Sequence, residues 1–296
     1  MAIRIGISGW RYAPWRGRFY PEGLPQRCEL DYASRSVASI EINGSFYSLQ
    51  SPASWSAWRR HTPGGFRFAV KGPRYITHIL RLREPTPALA NFFASGVLCL
   101  GDTLGPLLWQ LPPSLRYAPE LIERFLALLP RDTDAALALG RRRQRNRMRG
   151  RTALPGQPNR PLRHALEIRH DSFLDEAFVG QLRRHGVALV VSDSAGRFPH
   201  VEDVTADFLY LRLHGDTRLY TGRYSDPALE RWAARIRRWA DGHEPDDARR
   251  ISGTDPARRQ RRDVYCYFDN DAKVDAPFDA QRLYRLLAVD RIDRSR

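Results

Sequence analysis

The chain has 296 residues, 48 of them Lys or Arg against 33 Asp or Glu, for a formal net charge of +15. Its hydrophobic content of 42% and aromatic content of 11% supply a large core and exclude a chain that is disordered overall. Cys28, Cys99 and Cys266 are few, far apart and odd in number, which excludes a disulfide framework and a CxxC metal or redox motif. MAIRIGISGW lacks the pattern of a signal peptide, and no apolar run is long enough to cross a membrane. A cytoplasmic protein without a membrane partner is therefore expected.

Short apolar runs alternate with amphipathic segments from the first residues onward. Strands are predicted at 3–8, 38–43, 66–71, 106–111, 164–169, 187–192, 208–214 and 263–268, each a short β-branched or aromatic run. Helices are predicted at 24–37, 52–60, 86–93, 119–129, 173–185, 226–239 and 277–287, several opening on Pro or Asp, with none between the sixth and seventh strands. Eight strand–helix steps in a chain of this length predict a TIM (β/α)8 barrel. An open doubly wound sheet fits less well, because GISGWR after the first strand offers only Gly6 and Gly9 and no GxGxxG.

Two charged stretches interrupt this alternation and read as insertions in one domain over 1–296. Residues 141–163 carry nine Arg and no acid, hold nine of the fifteen surplus charges and show no apolar periodicity, so a flexible loop is expected. Arg141, Arg142, Arg143, Arg145 and Arg147 make it a candidate nucleic-acid arm. Against that, 46 of the 48 basic residues are Arg, the usage of a GC-rich genome rather than of a binding site. Residues 244–263 mix six Arg with five acids and read as a solvated charged loop without a function.

Within the strands, period-two alternation sorts residues toward the helices or toward the barrel axis. Ile40 and Ile42 alternate with Glu41 and Asn43; Phe68 and Val70 with Ala69 and Lys71; Leu166 and Ile168 with Glu167 and Arg169; Leu211 and Leu213 with Arg212 and His214. Strand one adds Ser8 and, just beyond, Trp10; strand four adds Gln110; Asp193 and Asn270 lie past the ends of strands six and eight. Charges on several strands thus converge at the C-terminal strand ends, where barrels of this class carry their sites. A bare internal salt-bridge network is the competing explanation. Arg4 and Arg67, at strand starts, are expected to form ion pairs at the opposite end.

These residues lie in stretches that resemble the YecE-like family, domain of unknown function 72. The resemblance rests on GISGWRYAPWRGRFYPEGLP, VASIEINGSFY, TPGGFRFAVKGPRYITH, LLWQLPP, HALEIRHDSF, LRLHG and YCYFDND, spread along nearly the whole chain. It implies a TIM barrel and no particular reaction. Phe173 stands where that family commonly has Trp, and the Arg-rich stretch between strands four and five is a departure from its pattern.

Lys71, Arg169 and Arg212 point to an anionic, phosphorylated or carboxylated, small molecule. Glu41 and Glu167 are the candidate acid–base pair and His214 a second proton carrier. Trp10, Phe46, Tyr47 and Tyr75 offer an aromatic wall, with Asn43, Gln110, His170, Asp193 and Asn270 as further substrate contacts. Glu41, Glu167, Asp193 and His214 also have the chemistry of a divalent-metal set, but no HxH or HExxH spacing occurs and the neighbouring cations oppose an ion, so metal is the less favoured reading and no cofactor is assigned. A hydrolase or lyase acting at the barrel mouth is expected. The alternative is a nucleic-acid-binding protein, nuclease or repair-like, that uses the Arg-rich loop and the cationic mouth.

Overall fold

The structure, a computed structural model, describes residues 1–254, 261–270 and 274–287. Residues 255–260 of the second charged stretch and Asp271 of the last quoted motif lie outside the described residues. Eight strands, β1 (Ile3–Ser8), β2 (Ser39–Ile42), β3 (Arg67–Lys71), β4 (Leu104–Gln110), β5 (His164–Glu167), β6 (Ala188–Ser194), β7 (Phe208–Gly215) and β8 (Asp263–Phe268), pair in parallel and in sequence order. β8 closes on β1 in a register that runs from Ile3 opposite Val264 to Ile7 opposite Phe268. The expected TIM barrel is the observed fold, and no sheet edge is left to cover.

The main connecting helices are α1 (Glu29–Ser36), α3 (Pro52–Arg60), α4 (Thr86–Ala94), α5 (Pro119–Leu128), α6 (Thr133–Arg141), α7 (Glu176–His185), α8 (Asp226–Ala240) and α9 (Asp275–Leu286), with a single turn, α2 (Gly44–Tyr47), after β2. Local chemistry fixes their starts. Ser51, Asp132, Asp175 and Ser225 each accept a hydrogen bond from a backbone N–H of the first turn, and Pro52 and Pro119 occupy first-turn positions where no N–H is required. Gly186, at φ 58°, ends α7 in the left-handed region that a Cβ disfavours.

Alternation places two cores on the two faces of one sheet. Ile5, Ile7, Ile40, Ile42, Phe68, Val70, Leu166, Leu211 and Leu213 pack outward beneath the helices. Burial of each such side chain contributes roughly 1.5–3 kcal/mol. The barrel axis holds a smaller cluster that includes Ala69, Leu108, Ala165, Val190, Phe208, Tyr210, Tyr265 and Tyr267. Small residues and tyrosines fill the middle of the barrel, and the polar residues are left to its two ends.

α6 was not expected: the Gly and Arg of ALALGRRR weaken its pattern, yet Asp132 caps it and it packs on α4. The Arg-rich stretch that follows is not a free arm. Asn91 of α4 and Gln144 exchange a reciprocal pair of hydrogen bonds at 2.9 Å, Ala153 N–H donates to Ala94, and Met148 is buried. Polar and backbone bonds hold this stretch, which is why apolar periodicity gave no sign of it. The arginines Arg141, Arg142, Arg145 and Arg147 remain exposed along its outer side.

Candidate active site

At the C-terminal ends of the strands the inward positions are Ser8, Glu41, Lys71, Gln110, Glu167, Arg212 and, one residue past β8, Asp269. Arg212 lies at the centre, 1% exposed, and is held well above the usual guanidinium range: burial opposes its charge, but Glu41, Glu167 and Asp269 outweigh it. Its Nε donates to Glu41 Oε2 at 3.1 Å and its Nη2 to Glu41 Oε1 at 2.8 Å. Nη1 donates to Glu167 Oε2 at 2.8 Å, and Nη2 also reaches Asp269 Oδ2 at 2.9 Å. One guanidinium therefore ties three strands together through charge-assisted bonds.

Further polar groups surround Glu41 and Glu167. Ser8 Oγ and Tyr210 Oη each donate to Glu41 at 2.6 Å, and Asn43 Nδ2 donates to Ser8 Oγ at 2.8 Å. Glu167 Oε1 accepts from Arg169 Nε and Nη2 at 3.2 and 3.0 Å and lies 3.3 Å from His214 Nε2. His214 Nδ1 lies 2.9 Å from Asp269 Oδ2. Burial raises the Glu167 and Asp269 carboxyls, but Arg169 and Arg212 in the first case, and Arg212 with His214 in the second, hold both well below the carboxylate range. Neither is a proton donor near neutral pH, and Glu41, with no exposed surface and four donors on it, has no lone pair aimed at a ligand. The acid–base role expected for Glu41 thus lacks access, and that expected for Glu167 lacks both access and a suitable protonation equilibrium. Arg212 likewise spends most of its N–H donors on these carboxylates and, at 1% exposed, presents almost no surface to a substrate.

Lys71 differs from its neighbours. It is 8% exposed, its Nζ lies 4.3 Å from the centre of the Phe46 ring, and no carboxylate of the described residues comes within ion-pair distance. Burial, then the Arg212 charge, lower its amine to about 8, with Glu41 and Glu167 acting in the other direction. Arg169 spends Nε and Nη2 on Glu167, lies 4.3 Å over the Phe198 ring, and leaves Nη1 without a bond among the described residues. Gln110, in register with Glu167, also makes no side-chain hydrogen bond among them. His78, edge-on to Phe46, is lowered to about 4 by burial and then by Lys71 and Arg169, so its ring is neutral at pH 7. Tyr220 caps the opposite side, edge-on to His214.

Other expected site residues are elsewhere. Gly9, at φ 84°, breaks the strand alternation and turns Trp10 outward onto Trp58 and Phe68, in a cleft it shares with Asn43. Asp193 points away from the axis and accepts from Tyr224 Oη and Trp232 Nε1, so the alternative metal set does not assemble; among the described residues no three His, Cys, Asp or Glu are grouped to hold an ion. His170 Nδ1 accepts from Ser172 N–H and caps a short 3-10 turn. Asn270 holds Gly222 and Asp279 outside the barrel. Phe46 borders the mouth, and Tyr47 is exposed beside it. Asp269, His78 and Tyr220 were not singled out in the sequence, and Tyr210, on the inward side of its strand, was given no role. Asp269 and Tyr210 were accessible to the same alternation, in phase with Tyr267 and Arg212, whereas His78 and Tyr220 lie on loops and gave no signal.

A closed parallel barrel of eight strands defines the TIM-barrel class, whose sites lie at the C-terminal ends of the strands. The sequence profile of the family described as "Protein of unknown function DUF72" matches residues 4–295, and the chain belongs to that family. UPF0759 protein YecE of Escherichia coli K12 is 26% identical over 211 residues, which cover 68% of this chain and 64% of that protein. UPF0759 protein YunF of Bacillus subtilis is 27% identical over 116 residues, covering 38% of this chain and 40% of that one. The chain thus spans less than two thirds of the curated relatives it matches. A DUF72 family protein from Thermotoga maritima superposes with a TM-score of 0.71 at 24% identity, over 97% of this chain and 99% of that one. A second, from Enterococcus faecalis, gives 0.66 at 16%, over 98% and 96%. These similarities concern the fold. No helix of the described residues is long and apolar enough to cross a membrane.

Proposed function

We propose that the C-terminal mouth of the barrel binds an anionic small molecule through Lys71 and Arg169, and that the buried carboxylates serve to fix Arg212 and Arg169 rather than to move protons. The observation that carries this reading is the asymmetry of the charged layer. Arg212 and Arg169 pair with Glu41 and Glu167 and Arg212 also holds Asp269 Oδ2, whereas the Lys71 ammonium and Arg169 Nη1 have no carboxylate partner among the described residues. A desolvated cation with no anion beside it attracts one from solution. Gln110 and the neutral His78 add uncharged hydrogen-bonding groups for the remainder of the ligand. If the bound molecule reacts, Lys71 is the group whose proton equilibrium suits catalysis, since its amine titrates near the working pH.

Calorimetric titration with inorganic phosphate at pH 7 and pH 9.5 tests the reading. Affinity should fall as Lys71 loses its proton through pH 8, and Lys71→Met should bind weakly at both values; equal binding by that variant would remove Lys71 from the site.

A nucleic-acid reading retains one supporting observation. Arg147, Arg151 and Met148 of the Arg-rich stretch join Phe46, Tyr47 and Tyr75 around a groove of about 230 Å³ next to the mouth. Aromatic faces interleaved with arginines suit an unstacked base and its phosphate. Binding of a single-stranded oligonucleotide that weakens steeply with salt and is lost in Tyr47→Ala would favour it; absence of binding at low salt would dismiss it.

A further inference from the structure

The N-terminal end of the barrel holds a second cationic cavity, of about 450 Å³, bordered by Arg4, Arg67, Arg160 and Arg163. The acids that border it are already engaged. Asp207 and Asp263 pair with Arg163 at 3.0 and 2.6 Å, Asp263 Oδ1 also accepts from Ala2 N–H, and Asp102 pairs with Arg59 at 2.9 Å. Arg4, Arg67 and Arg160 make no ion pair among the described residues, contrary to the bottom-end pairing expected for the first two. Arg67 Nη1 donates only to the Phe66 carbonyl and Arg160 Nη2 to Gln157. Arg4 lies 5.4 Å over the Tyr265 ring, with Nε and Nη1 shut off from solvent and without a hydrogen-bond partner. Unsatisfied buried guanidinium donors are costly, and here they converge with two other cations on an open cavity. Burial, then the Arg4 charge, lower Arg67, with Arg160 adding to the lowering and Tyr265 and Asp102 acting in the other direction.

We propose that this cavity is an anion site distinct from the C-terminal mouth, taking a phosphate-bearing small molecule whose oxygens accept from Arg4, Arg67 and Arg160. Arginine forks match the geometry of phosphoryl oxygens, and three of them around one cavity favour a ligand with more than one negative charge. Chemistry in this fold belongs to the opposite face, so a ligand here stabilises the barrel by binding the folded state alone.

The experiment is a thermal-denaturation titration in low-salt, phosphate-free buffer with orthophosphate and tripolyphosphate as probes, on the wild type and on Arg4→Met, Arg67→Met and Lys71→Met. The wild type should show a saturable rise in Tm, larger for tripolyphosphate. Arg4→Met should melt higher than the wild type without anion, because a repulsive charge has been removed, and should need at least about tenfold more tripolyphosphate for the same rise. Lys71→Met should keep the response, so failure of the reading for the mouth leaves this result unaffected. Arg160→Gln, at the rim, should show the same weakening should Arg4→Met fail to fold. A response absent in the wild type, unchanged in the arginine variants, or abolished by Lys71→Met would overturn the proposal.

Discussion

Arg212 grips Glu41 with two donors, Nε on one carboxylate oxygen and Nη2 on the other, in a fully buried pair that links β7 to β2 across the barrel axis. Neither group meets solvent, so the pair acts on the architecture of the mouth rather than on a ligand. Charges on strands that do not adjoin are thereby used to set the positions of the groups that do face the mouth.

Breaking that pair should cost stability without removing a catalytic group. Glu41→Gln leaves Arg212 with two carboxylates and Tyr210 with a weaker acceptor, and loss of one partner from a buried pair typically costs about 3–5 kcal/mol. Urea denaturation should show a loss of that order; a loss below about 1 kcal/mol would contradict a structural role for Glu41.

Lys71 should leave a signature in the pH dependence of stability. Its amine is lowered in the folded state from 10.5 to about 8. Below pH 8 both states carry the proton and folding bears the full cost of burying the charge. Between pH 8 and 10.5 only the unfolded state keeps it, so this contribution raises stability as pH rises. Lys71→Met should therefore be more stable than the wild type by roughly 3 kcal/mol at pH 7, the gain shrinking to nothing by about pH 10.5. Chemical melts of both proteins across that range check this; a constant difference would refute the depressed amine.

Asp269→Asn removes one negative charge beside Lys71 and loosens His214 and Arg212. Phosphate affinity at the mouth should rise while stability falls. Titration and denaturation of the same preparation measure both, and weaker phosphate binding would contradict a mouth whose affinity is set by uncompensated cations.

Asn91→Ala removes both hydrogen bonds to Gln144 and should release the Arg-rich stretch. Trypsin should then cut within 141–151 faster than in the wild type, at a global cost of only about 1–2 kcal/mol. Equal cleavage rates would show that the reciprocal pair does not hold the segment.

Much of this arrangement was legible as alternation. Ile40, Glu41 and Ile42, or Leu211, Arg212 and Leu213, declare both the strand and its inward face, because a charge between two apolar residues in a barrel strand has only the axis to face. Roles were less legible, since they depend on partners across the barrel. Nothing in LRLHG tells that Arg212 meets three carboxylates, and nothing in VSDS tells that Asp193 turns to Trp232. Alternation also ends where the strand ends: Gly9 diverted Trp10, and His170 became a cap. The Arg-rich stretch escaped for a different reason, being held by amide and backbone bonds that leave no periodic trace.

Only Lys71 and Lys273 are lysines in this chain, which makes the reading of the mouth open to a direct chemical measurement. Pyridoxal 5′-phosphate, an aldehyde carrying a phosphate, condenses with a neutral amine to an imine with release of water, and borohydride reduces that imine to a stable secondary amine. Peptide mapping after brief labelling at pH 8 should place the modification on Lys71, with inorganic phosphate protecting it. Labelling confined to Lys273 or the terminal amine, or labelling of Lys71 that phosphate does not slow, would contradict an anion site at Lys71.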